Sequence, residues 1–196
     1  MPFFIKTVAP ADANAELHEY YDEDMHDLGL PSNVTRTFSL FPDTYEGWRG
    51  LIRSIRKHLP LRYYELTTFA AALEMGCTFC LLAHGAVLRK NGFTAEQLEA
   101  IARDFHRAGL EDKEVAMMDY SQKVIRDAGS TTRADFDRLR SAGWTDEQIL
   151  AITLSAAARS FLSKVLDALG AEADGIYKQL DEETHGALRG TRPYAP

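Results

Sequence analysis

Apolar residues in this chain recur at three- and four-residue intervals, the spacing of helices packed on one face. The first stripe is Leu17, Tyr20, Tyr21, Met25 and Leu28, in an acidic, tyrosine-rich stretch from Asp12 that Gly29 and Pro31 close. Residues 1–11 before it read as an irregular lead. NVTRTFSLF, residues 33–41, alternates like a strand, but Pro42 follows and no partner strand is visible. It is read as the start of a helix capped by Ser32 or Asn33. Asp43 or Thr44 then caps a helix over 45–58 with Trp48, Leu51, Ile52 and Ile55 on one face and Arg49, Arg53, Arg56 and Lys57 on the other, and Pro60 ends it. Leu66, Phe69, Ala70 and Leu73 make the next stripe. Gly76 breaks that helix, and another starts at or near Cys77 and runs through Leu81, Leu82, Val87 and Leu88 to Asn91 and Gly92.

The second half contains an echo. GFTAEQLEAI, residues 92–101, returns as GWTDEQILAI, residues 143–152. Each copy offers a glycine to end the preceding helix, an aromatic residue, a threonine N-cap, a glutamine three residues on to complete a capping box, and an aliphatic residue for the staple. Thr94 and Thr145 therefore start helices, by duplication of a helical unit or by two uses of one good capping solution. Between them a helix over 111–127 is expected to bury Val115, Met118 and Val124, and Thr131 or Thr132 caps a short helix to Arg140. The second copy continues to about Ala168, packing Ile149, Ile152, Leu154, Ala156 and Phe161. Residues 172–188 read as a polar helix or tail. The fold class is all-α: a single domain of about eight helices with a core over 33–170, an acidic N-terminal helix and a C-terminal tail.

Composition adds exclusions. A net charge of -7 over 196 residues argues against nucleic acid and acidic membranes as partners. The N-terminus lacks the charged region of a signal peptide, and the most apolar window, 67–88, is interrupted by Glu74, Gly76 and His84, so a buried core segment is expected rather than a membrane span. The expected compartment is the cytoplasm, where a CxxC is redox-active or metal-binding more often than structural.

The chemistry concentrates in ELTTFAAALEMGCTFCLLAH, residues 65–84. Both cysteines, Cys77 and Cys80, stand three apart, close enough to form a disulfide without remodelling the backbone. A cysteine in the first turn of a helix meets unsatisfied N–H groups and the positive end of the dipole, which favour the thiolate. His84, one turn after Cys80, can take its proton or pair with it as imidazolium. Glu65, one helix earlier, can fold back and orient the imidazole.

These residues fit E-x11-C-x-x-C-x3-H, and the segment resembles the AhpD-like alkylhydroperoxidases of the carboxymuconolactone decarboxylase superfamily, the longer chain being similar to the peroxidase-related branch. The resemblance implies an AhpD-like helical domain and a thiol-dependent peroxidase without a prosthetic group. In it Cys80 is attacked by the hydroperoxide, Cys77 resolves, and His84 and Glu65 relay protons. It also implies an external dithiol or thioredoxin-like reductant and a homo-oligomer. Family members carry a second histidine just before the second cysteine where this chain has Phe79, leaving Glu74 or water to handle protons at Cys77. The family's decarboxylases usually lack the cysteine pair, so ring-opening decarboxylation is not expected.

Other readings compete. Cys77, Cys80 and His84 could be three zinc ligands, with His58 or His106 as a fourth, although no second CxxC exists. The pair could serve a redox-sensing or structural oligomer, or a general dithiol-disulfide oxidoreductase. His18, Asp22 and His26 share a helical face but read as a solvated acidic surface. The cations of 49–57 read as a solvated face or as a device that raises the potential near a thiol.

Overall fold

The computed structural model describes residues 3–179 together with 186 and 188. Among them the chain forms nine α-helices and no strand: α1 (Ala15–Leu28), α2 (Asn33–Thr37), α3 (Pro42–Arg56), α4 (Leu61–Met75), α5 (Thr78–Lys90), α6 (Ala95–Asp104), α7 (Asp112–Asp127), α8 (Arg133–Ser141) and α9 (Asp146–Leu169). The helix starts follow the capping chemistry of the sequence. Ser32 caps α2, and Thr94 and Thr145 each form a complete capping box with Gln97 and Gln148. Thr132 does the same with Asp135 at α8. α3 departs from expectation: it begins at Pro42 with no side-chain cap, because proline's fixed φ suits the first helical position and its missing N–H needs no acceptor there. Pro60 does not end α3, which stops at Arg56; it precedes α4.

The core is built around α4, which is buried without interruption from Tyr64 to Ala72. A helix apolar on all sides belongs inside a fold, and Ala70, Ala71 and Ala72 let neighbouring backbones approach. α5, α7 and α9 pack directly on it. α9 turns Ile149, Ile152, Ala156, Leu162 and Leu166 inward. By length and composition it could also cross a membrane, but more than half of its apolar window is buried in the fold. Leu154 and Phe161, expected in the core, are exposed together with Leu150. At 100° per residue, positions 150, 154 and 161 fall on one side of the helix, and the inward side is already filled. Leu51 on α3 is likewise exposed, and Val115 and Val124 on α7 are only half-buried.

The echo in the sequence extends to the architecture. α4, α5 and α6 start or end 51 residues before α7, α8 and α9: Leu61 and Asp112, Lys90 and Ser141, Ala95 and Asp146. Gly92 and Gly143 have φ of 94° and 93°, and the aromatic that follows each is buried. Even the ring contacts repeat, with Arg62 over Phe93 at 4.5 Å and Lys113 over Trp144 at 4.2 Å. Two independent caps do not predict such matched contacts, so a duplicated three-helix unit is the better account. The halves differ at one decisive point, for α6 has 10 residues and α9 has 24. The extra turns of α9 reach back over the first half.

After α9 the chain returns to α2. Asp174, buried, accepts hydrogen bonds from Asn33 N (2.7 Å) and Ser32 Oγ (2.9 Å). The expected polar helix or tail is a short 3-10 helix over Gly175–Gln179; except for 186 and 188, the remainder lies outside the described residues.

Candidate active site

The junction between α4 and α5 sets the site. Gly76 ends α4 with φ 65°, a left-handed conformation open to glycine at little cost. Gly76 N then bonds to Leu73 O and Cys77 N to Ala72 O, both at 3.1 Å, satisfying the last carbonyls of α4. The chain turns at once into α5, with Cys77 at its N-cap and Cys80 at the third helical position. The cysteines therefore stand where the first-turn N–H groups converge. No disulfide joins them, and both are buried.

Glu65, from the buried run of α4, and His84, one turn past Cys80 on α5, meet as expected: His84 Nδ1 lies 2.6 Å from Glu65 Oε2. Glu65 is 4% exposed and His84 8%. Thr68 Oγ1 is 3.2 Å from the same nitrogen. The threonine hydroxyl also lies 3.0 Å from the carbonyls of Tyr64 and Glu65 and donates its proton in that direction. It therefore accepts from Nδ1–H, as the carboxylate does. That fixes the proton on Nδ1 and leaves Nε2 as the basic nitrogen of the ring.

Two residues that sequence reading missed complete the surroundings of Cys80, both from the extension of α9. Ser163 Oγ is 3.1 Å from Cys80 Sγ, and Arg159 Nη1 is 3.9 Å from it. Arg159 is buried and also contacts Tyr64. The Cys80 thiol is pushed well below the usual range, by a hydrogen bond from Cys77 first, then by the charges of Arg159 and His84 and by Ser163, against the opposing effect of burial. Cys77 is raised because it donates to Cys80 and is itself buried. The sulfurs are thus unequal: the surroundings favour the thiolate at Cys80 and the protonated thiol at Cys77.

The remaining candidates are placed elsewhere. Glu74 makes a two-pronged ion pair with Arg126 (2.8 and 2.7 Å), so it is not held for proton transfer at Cys77. Phe79 packs edge-on against Tyr177, ring centres 6.2 Å apart. His58 pairs with Glu147, and His106 with Asp104 and Asp119. Among the described residues no group of three or more His, Cys, Asp or Glu side chains is arranged to hold a metal ion. His18 and Asp22 form an exposed pair. Of the α3 cations, Arg49 and Arg53 pair with Glu23 and Glu46, while Arg56 lies over the Tyr64 ring at 5.3 Å.

The duplication places Ala128, Thr131 and Asp135 where the first half has Cys77, Cys80 and His84. That end of the second unit holds instead a cavity of about 250 Å³ lined by Asp119, Lys123, Arg126, Asp135 and Arg138 among others. One half carries the thiols.

Comparison with known proteins agrees with this architecture. Residues 40–123 match the model of the carboxymuconolactone decarboxylase family. The match contains Glu65, Cys77, Cys80 and His84; Arg159 and Ser163 lie beyond it. The fold is that of a peroxidase-related AhpD-core protein from Ralstonia eutropha (TM-score 0.83, 21% identity, 90% of this chain and 95% of that one). A peroxidase-related protein from a Silicibacter species is equally similar (0.82, 20%, 91% and 95%). The debrominase Bmp8 shares the fold at a TM-score of 0.75 with 15% identity over 94% of this chain and 97% of that one. No curated protein matches.

Proposed function

Taking that family match and the shared fold as the premise, we propose that the chain is a cysteine-dependent peroxidase that reduces hydroperoxides with Cys77 and Cys80 and recycles through an external dithiol or thioredoxin-like reductant. The observation that carries this reading is the unequal pair: Cys80 lies within reach of Ser163 and Arg159, and Cys77 remains protonated beside it.

In the first step the proton of Cys80 resides on His84 at Nε2, and the thiolate attacks the terminal oxygen of the hydroperoxide. An S–O bond forms, the O–O bond breaks, and the departing alkoxide takes the proton from His84 to leave as an alcohol. Glu65 and Thr68 hold the imidazole throughout and offset its charge. In the second step Cys77 attacks the sulfenic sulfur of Cys80, a disulfide forms, and water leaves with the thiol proton. Two electrons from the reductant then reopen the disulfide. No prosthetic group enters any step.

Turnover is read as alcohol formed from tert-butyl hydroperoxide in the presence of a dithiol. It is expected to vanish in Cys80→Ser and to stop after one equivalent in Cys77→Ser. Peroxide turnover that survives in Cys80→Ser refutes the reading. The shared fold with a debrominase supplies a second reading, displacement of halide by the same thiolate, tested by bromide release from a brominated pyrrole. A disulfide that forms without repeated cycles with any reductant favours a redox-sensing role, and reduction of insulin a general oxidoreductase.

The expected homo-oligomer draws support from the outer face of α9, where Leu150, Leu154 and Phe161 are exposed in line.

A further inference from the structure

Arg159 presents a puzzle that the thiol chemistry alone does not resolve. A buried guanidinium needs a counter-charge and acceptors for its N–H groups. Arg159 is 5% exposed; Nη1 faces Cys80, and Tyr64 supplies a second contact. Its Nε, equally buried, has no hydrogen-bond partner. An unsatisfied donor on a charged group inside a fold is costly, and a catalytic role is one of the reasons that a native structure retains one. Cys80 does not require it, since Cys77, Ser163 and Nη1 already surround the sulfur.

We propose that Arg159 Nε is a substrate-binding donor: it holds an oxygen of the hydroperoxide as this meets Cys80, and then the alkoxide oxygen that departs. The proposal rests on the peroxidase reading and deepens it by naming the catalytic residue that takes the substrate. Negative charge moves from sulfur to the leaving oxygen as the S–O bond forms and the O–O bond breaks. A fixed guanidinium spanning both positions stabilises that transfer without losing a proton, since its pKa is too high for it to act as an acid. His84 remains the proton donor. The thiolate already balances the arginine's charge, so the site favours a neutral hydroperoxide over an anionic one.

The same placement accounts for Phe79. Where the resembled relay carries a second histidine from α5, this chain has an apolar ring, and the additional donor arrives from α9. Only the second half's long helix reaches far enough, because α6, its counterpart in the duplication, ends ten residues after it starts.

The test separates ionisation from substrate binding. For wild type, Arg159→Met and Arg159→Lys, two rates are measured from pH 5 to 10: alkylation of Cys80 by iodoacetamide, assigned by peptide mass, and single-turnover oxidation by tert-butyl hydroperoxide. Alkylation reports the thiolate alone. On the plateau above each protein's thiol pKa, Arg159→Met is expected to alkylate within about three-fold of wild type but to react with peroxide about 100-fold more slowly, a deficit typical of a lost oxyanion donor. Arg159→Lys keeps the charge but not the planar fork, and is expected to lose about ten-fold. It provides the same ratio if the methionine variant does not fold. Peroxide rates that converge with wild type on the plateau overturn the role of Arg159 and leave the peroxidase reading intact. A wild-type protein that alkylates readily yet leaves peroxide untouched overturns both.

Discussion

Replacing Glu65 by glutamine probes the relay with little change in volume. In the native site the carboxylate accepts from His84 Nδ1 at 2.6 Å, with both side chains almost wholly out of water. A hydrogen bond to a charged partner contributes about 1.5–3 kcal/mol, and a neutral one about 1 kcal/mol. The substitution therefore removes about 1–2 kcal/mol of support for the ring as it carries the proton, which is roughly 5–30-fold in rate. In the proposed relay His84 holds the Cys80 proton and returns it to the leaving oxygen, so single-turnover oxidation of Cys80 at neutral pH is expected to slow by that factor. Glutamine can still orient the ring through its amide oxygen, so alkylation measured on the high-pH plateau should change little. A variant with an unchanged peroxide rate at pH 7 refutes the assignment of Glu65 to the relay.

Three further outcomes follow from the same geometry. Ser163→Ala removes a donor from the Cys80 thiolate, and because ionised sulfur is what that bond favours, the midpoint of the alkylation rate should shift upward by about 0.5–1 pH unit. Arg62→Ala leaves the fully buried Glu114 without the guanidinium that bonds it at 2.6 and 3.1 Å; since Arg62 is half in water, a loss of about 2–3 kcal/mol in chemical denaturation is expected, below the full cost of breaking a wholly buried pair. Partial recovery in Arg62→Ala with Glu114→Gln would show that the stranded charge causes the loss. Gly170→Ala forces φ 70° on a residue with a Cβ at the end of α9 and brings that atom to 2.9 Å from the Phe4 ring, so a loss of about 1 kcal/mol is expected, limited because the exposed ring can move.

How much of this was legible in the sequence depended on the range of each signal. Capping boxes are local: Thr94 with Gln97 and Thr145 with Gln148 could be read from four residues and stand where they were read. The start of α3 lies two or three positions before the one read from sequence because Asp43 and Thr44 are good caps, yet Pro42 takes the first turn. Glu65, Cys77, Cys80 and His84 were recognisable together because a single helix junction holds them within twenty residues. Arg159 and Ser163 gave no such signal, being more than seventy residues from the cysteines on a helix whose period announces only a core element. The weak hint was polar residues at 159 and 163, four apart and on the inward face with Ile152, Ala156 and Leu166. Leu154 and Phe161 were assigned to the core on hydrophobicity alone, and a helical stripe wider than its buried face does not reveal which edge is left outside.

The central claim is that Cys80 is the nucleophile and Cys77 its resolving partner. The direct measurement is peptide mass analysis of the fully reduced protein before and after one equivalent of tert-butyl hydroperoxide, with a sulfenic-acid trap present, for wild type and Cys77→Ser. The account predicts one Cys77–Cys80 disulfide and one equivalent of alcohol from wild type, and the trapped sulfenic acid on Cys80 in Cys77→Ser. Two intact thiols after exposure, or a trapped adduct on Cys77 in Cys80→Ser formed at the wild-type rate, would contradict it.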